Sequence, residues 1–232
     1  HSPHLAEAVI RADPAGVIEY GEADTLTPVH GRVLLDALQA LAERNPQFFV
    51  GYAPRAGALV QPNLINEVWR ILTERTDDDT AFCYSWALRI VLARQIKGSQ
   101  LVTQKRDALI AMMLDERQEF DIRSNFGKAL ARDGSVSNWP ELLETLRCQA
   151  TMDATRLAVD LVDDIGFEQF TDKQLVELIL TCEGVTLSTL PHGDRDRHTT
   201  GTLYFVRRDL PQDRIDGVLD RSEERRVGKE CT

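Results

Sequence analysis

The sequence predicts an all-α protein, and three observations lead there. Leu and Ala recur throughout while aromatic residues make up only 6% of the chain, a balance that favours helices over sandwiches or barrels, where β-branched and aromatic residues dominate. Apolar residues return at helical spacing in about eight or nine successive segments. Short breaks carrying Pro, Gly, Asn or Asp separate these segments, which pair off in units of roughly 35 to 45 residues, the length of HEAT or armadillo repeats. No strict period runs through the pairs, so the expected architecture is an irregular α-solenoid, with a compact multi-helix bundle as the alternative. At 232 residues and 43% hydrophobic, the chain can bury a substantial core as one large domain or two small ones.

Ser2-Pro3 supplies a cap and a first helical position, and His4 to Ala12 reads as a short helix. Asp13-Pro14-Ala15-Gly16 is expected to end it, and Val17-Ile18-Glu19-Tyr20 to form a short strand or an extended packing segment. Thr27-Pro28 repeats the cap-plus-proline signal, after which Val33, Leu34, Ala37, Leu38 and Leu41 keep helical spacing until Asn45-Pro46 stops the run. Residues 47–61, with Gly51, Pro54 and Gly57, read as a loop with apolar anchors. Pro62 opens a helix with Leu64, Ile65, Val68, Trp69 and Leu72 inward, and Asp77-Asp78-Asp79-Thr80 caps the next, whose Phe82, Cys83, Trp86, Ile90 and Val91 form a wide stripe.

Gly98-Ser99 breaks the chain before Leu101, Val102, Leu109, Met112, Met113 and Leu114 resume the pattern. Phe120, Ile122, Phe126, Ala129 and Leu130 mark a helix that stops at Asp133-Gly134, and Asn138-Trp139-Pro140 starts another through Leu142, Leu143 and Leu146. Leu157, Leu161 and Val162 mark the next. Thr171 with Gln174 is a capping-box pair opening a helix through Leu175, Leu178 and Ile179, with Gly184 as its expected terminator. The domain reading is a short N-terminal segment over 1–27, a helical-repeat domain over 28–220, and a tail over 221–232. That tail, "RSEERRVGKECT", breaks the preceding pattern and reads as non-native. The chain opens at His1 rather than Met, and the parent frame is expected to continue upstream.

The net charge of −10 argues against general binding to nucleic acid or to an anionic membrane. Arg94, Lys97, Lys105 and Arg106 form the best candidate for a local basic, partner-binding patch, whose competing reading is a solvated helix end and loop. Cys83, Cys148, Cys182 and Cys231 stand far apart and read as reduced, mostly buried thiols, which fits a cytoplasmic protein. No apolar run approaches the roughly 18 residues of a spanning helix, and the first residues lack the pattern of a signal peptide. Membrane attachment is not expected.

Nucleotide chemistry calls for GxxxxGK[ST], and the nearest approach, Gly51 to Gly57, lacks the lysine and hydroxyl and carries Pro54. GxSxG and HExxH are absent, and Asp77 to Asp79 lack the glycine and distal glutamate of a calcium loop. Cys83, on an apolar stripe, reads as structural; Asp160, Asp163 and Asp164 read as a solvated helix end. The remaining candidate is "PHGDRDRH", in which His192, Asp194, Asp196 and His198 recur at every second residue. On an extended segment these would face one side as metal ligands. Arg195 and Arg197 interleave with the acids, and Pro191 and Gly193 suit a polar loop between a helix ending near Gly184 and one restarting near Gly201. The loop is the preferred reading.

Several stretches together carry a resemblance: the opening "VIEYGEADTL", the helix through "LLDAL", the pair "PNLINEVWRILTER" and "AFCYSWALRIVLARQI", then "FDIRSNFGKALARDG" and "GTLYFVRRDLPQDRIDGVLD". Over residues 14–220 they resemble the helical, HEAT-like region that follows the nucleotide-binding module in bacterial NACHT or STAND-type NTPases. The resemblance implies an upstream P-loop module binding ATP and Mg, helical repeats that sense or relay, and an effector that executes, many such proteins acting in antiphage defence. It places no nucleotide residue on this chain. The expected function is thus a non-enzymatic sensor or relay scaffold without a cofactor of its own, contacting proteins or other domains of its parent. A free-standing helical adaptor and a metal-dependent hydrolase centred on His192 and His198 are the alternatives.

Overall fold

The computed structural model describes residues 3–20, 26–45, 59–73, 88–189, 214–218 and 220. The fold is all-α, and no β-strand occurs among the described residues. They fall into two compact units, one of residues 1–113 and 125–135, the other of 114–124 and 136–232. No helix among the described residues is long and apolar enough to cross a membrane.

In the first unit, α1 (Pro3–Ala12) and α2 (Pro14–Tyr20) both pack on α3 (Pro28–Arg44). The expected strand over Val17–Tyr20 is therefore a helix. Asp13 caps it: Oδ1 accepts from the Gly16 N–H at 2.9 Å, and Pro14 sits at the first helical position, where its fixed φ and missing N–H cost nothing. The Asp-Pro pair ends one helix and begins the next. Gly16 suits this cap, because a Cβ there would lie 2.2 Å from the Asp13 carboxylate. In α3 the Thr27 side chain accepts from the His30 N–H, Asn45 closes the far end, and Val33, Leu34, Leu35, Ala37, Leu38 and Ala42 fill the buried face.

Helix α4 (Ile65–Thr73) starts three residues after Pro62, which stands in a turn closed by Leu64 N–H donating to Gln61 O. Its Ile65, Val68, Ile71 and Leu72 are buried. Helical residues 88–95 form α5, buried through Leu88, Ile90, Val91 and Leu92; the rest of that expected stripe, with Cys83, lies outside the described residues. Helix α6 (Gln100–Leu114) kinks at Lys105 (φ −118°, ψ 18°). Helix α7 (Phe120–Asp133) ends at Gly134, whose φ of +68° is readily reached only by glycine.

The second unit centres on α8 (Trp139–Gln149), α9 (Met152–Ile165) and α10 (Asp172–Thr189), each packed on the other two, with a 3₁₀ turn (Phe167–Gln169) between α9 and α10. The capping box of α10 forms as expected: Thr171 Oγ1 accepts from the Gln174 N–H at 3.3 Å, and the Thr171 N–H donates to Gln174 Oε1 at 3.0 Å. Gly184, the expected terminator, lies inside α10 instead. A helix-interior glycine costs about 1 kcal/mol against alanine, and burial of Cys182 and Val185 on either side offsets it. Helical residues 214–218 form α11, with Val218 fully buried.

Candidate functional site

His192, Asp194, Asp196 and His198 lie outside the described residues. Among the described residues no three His, Cys, Asp or Glu side chains converge on a point where a metal ion would sit. The basic candidates are all placed in the first unit, distributed over three structural settings. Arg94 is on α5 and Lys97 in the turn after it, and both are engaged by neighbours. Lys105, at the kink of α6, holds its ammonium 5.7 Å from the centre of the Trp69 ring, and the exposed Arg106 pairs with the adjacent Asp107. Of the two described cysteines, Cys182 is buried as expected and Cys148 is exposed.

The side chains the fold does bring together are mostly arginines tied to the carbonyl ends of helices. Arg89, 1% exposed, donates from Nε to Leu72 O at 3.1 Å, in the last turn of α4. Arg123, 2% exposed, donates from Nη2 to Gln149 Oε1 at 2.8 Å, and Gln149 passes the link on from Nε2 to Leu114 O, the last residue of α6, at 2.6 Å. Such carbonyls have no partner within their own helix, and burial away from water makes an outside donor valuable. Burial pulls the Arg123 guanidinium below its ordinary range, while the carboxylates of Asp153, Glu116 and Asp115 oppose that shift. Nearby, Arg156 stacks over the Phe120 ring at 4.4 Å.

One cleft belongs wholly to the second unit. Leu143 and Arg147 from α8, Val162 from α9, Phe170 from the α9–α10 junction, and Gln174 and Leu178 from α10 line a shallow hollow of about 290 Å³, its mouth included. Arg147 pairs with Glu144 and donates to Thr181 Oγ1 at 3.4 Å. That hydrogen-bonded pair lowers the Glu144 carboxyl and raises the Arg147 guanidinium relative to their ordinary values, so both stay charged and matched. The lining is an apolar floor with one neutralised ion pair at its edge.

Behind Phe170 lies the most elaborate of the ties. Arg214, on α11, donates from Nε to Asp172 Oδ1 at 2.9 Å, from Nη1 to Phe167 O at 2.8 Å and from Nη2 to Phe170 O at 2.7 Å. The guanidinium fork thus spans a carboxylate and two carbonyls of one turn. Arg89 and Arg123 were detectable in the sequence as arginines on apolar stripes, Arg89 with Leu92, Ala93 and Ile96, and Arg123 with Phe126 and Leu130. Arg214 and Asp172 stand too far apart in the chain for any local pattern to join them. Compared with family models, with curated proteins and with solved structures, the chain has no match.

Proposed function

We propose that this chain is a non-enzymatic helical scaffold, an irregular α-solenoid serving as the sensor or relay portion of a larger cytoplasmic bacterial signalling NTPase. The observation that carries the reading is a set of side-chain ties in which guanidinium or amide groups, buried at Arg89 and part-buried at Gln149 and Arg214, fasten one element to another at Leu72 O, Leu114 O, Phe167 O and Phe170 O. A helix whose end is hydrogen-bonded to another element passes displacement on instead of absorbing it, as relay through packed helices requires. The resemblance over residues 14–220 supplies the NTPase context, in which ATP and Mg bind an upstream module. Reading the parent frame upstream of residue 1 tests this. A GxxxxGK[ST] loop within a nucleotide-binding module is the expected result, and a frame that opens near His1 without one overturns it.

A free-standing adaptor is the second reading, favoured by Leu5 and Val9, one turn apart on α1 and 66% and 52% exposed. Both readings expect purified chain to carry no stoichiometric metal. Bound zinc that disappears when His192 and His198 are replaced by alanine would sink them in favour of a metal enzyme.

A further inference from the structure

We propose that α11 is a releasable strap, and that its closure through Arg214 sets the Phe170 wall of the cleft on α8, α9 and α10. Residues 214–218 are helical and are fastened to the α9–α10 junction through their side chains. The fastening consists of the Arg214 fork, the burial of Val218 one turn on, and the close approach of Gly217, where a Cβ would lie 3.8 Å from Asp172 Oδ2. Two features make it releasable. Arg214 and Asp172 keep 21% and 27% of their side-chain surface exposed, so water can take over their bonds on opening. The helices it joins also have caps that owe nothing to it: Gly166 N–H donates to Val162 O at the end of α9, and the Thr171–Gln174 box starts α10.

Opening therefore frees the turn between two helices that remain intact. That turn carries Phe170, whose carbonyl Arg214 holds and whose side chain lines the cleft. Strap and cleft consequently share one structural element, and anything that presses on the Phe170 wall changes the ease of release by the same factor as release changes the wall. The inference stands on this geometry and is independent of the NTPase reading.

Native-state hydrogen exchange on the full chain tests it. In the unsubstituted protein, the amides of 215–218 are expected to exchange through the same opening as those of Gln169 and Phe170, well ahead of the α9 amides. Arg214→Gln should speed exchange at Gln169 and Phe170 by about 10- to 100-fold, the worth of charged hydrogen bonds, while leaving α9 and α3 unchanged. Arg214→Lys keeps a charge opposite Asp172 without a fork for two carbonyls, and should fall between. Exchange of 215–218 only together with α8 to α10 would overturn the proposal, as would an unchanged Gln169 and Phe170 in Arg214→Gln. The measurement on the unsubstituted chain decides the matter even if the variants do not fold.

Discussion

The α4–α5 contact in the first unit and the α9–α10 junction in the second use the same device, a guanidinium donating to carbonyls at a helix end, in two environments. Arg89 is 1% exposed and reaches Leu72 O from within the core; Arg214 keeps 21% of its side chain in water while reaching Phe167 O and Phe170 O. The number of bonds matters less than what replaces them when they break. When the Arg214 tie breaks, a guanidinium and a carboxylate that are already partly in water are resolvated, whereas a carbonyl orphaned in the core loses its partner outright and bears the full desolvation cost. The first tie is permanent and the second is conditional.

The largest effect should come from removing the permanent tie. Arg89→Ala empties a volume in the core and strips Leu72 O of its donor, and is expected to destabilise the first unit by about 3–5 kcal/mol in urea unfolding. A loss under about 1 kcal/mol would erase the distinction between the two arginines. The same helix offers the opposite sign. Gln95 is 0% exposed, and among the described residues neither its Nε2 nor its Oε1 has a hydrogen-bond partner. Gln95→Leu, similar in size and free of polar atoms to satisfy, should stabilise the unit by about 1–3 kcal/mol. Destabilisation there would mean that burial alone does not mark a polar group of this core as costly.

At the conditional tie, Thr171→Ala removes the capping box and should cost about 1 kcal/mol, read as a drop in the unfolding midpoint of the second unit. Combined with Arg214→Gln the loss should exceed the sum of the two, because each change leaves the other as the remaining hold on the α9–α10 junction. Strict additivity would mean that strap and cap act on separate elements.

These contrasts also show what the sequence makes legible. Helix starts were readable at Thr27-Pro28 and Thr171–Gln174, where the signal is local and chemical, since a cap needs only residues three or four apart. Two ambiguous signals misled. Asp13-Pro14 serves equally as a stop and as a cap with its first helical residue, and Gly184 terminates a helix only if the chain takes up a left-handed turn there, which burial of Val185 within α10 opposes. The basic cluster was legible as a run of residues but not as a surface, because the partner of Lys105, Trp69, comes from another helix. The Arg214–Asp172 tie was invisible for the same reason. Its energy depends on a fold that places the start of α10 beside residues the chain reaches only after a long excursion.

The smallest expected effect is electrostatic and lies in the turn before α7. Asp115 accepts from the Arg117 side chain at 2.8 and 3.0 Å and from the Arg117 N–H at 3.1 Å. The Arg117 side-chain hydrogen bonds foremost, helped by its backbone N–H and its charge, hold the carboxyl down to about 2 against the opposing effect of burial. A carboxyl depressed on folding stabilises the folded state above its unfolded pKa of about 3.9. That contribution should persist unchanged from neutral pH to about pH 4, then fall away as the pH drops toward 2. Arg117 keeps 78% of its side chain exposed, so salt screens its charge and the contribution stays small. In an acid titration followed by NMR, the Asp115 carboxyl should return toward the ordinary range in Arg117→Ala, with little change in the unfolding midpoint at neutral pH. An unshifted Asp115 in that variant would assign the depression to other donors in the turn, leaving Arg117 without the part given to it here.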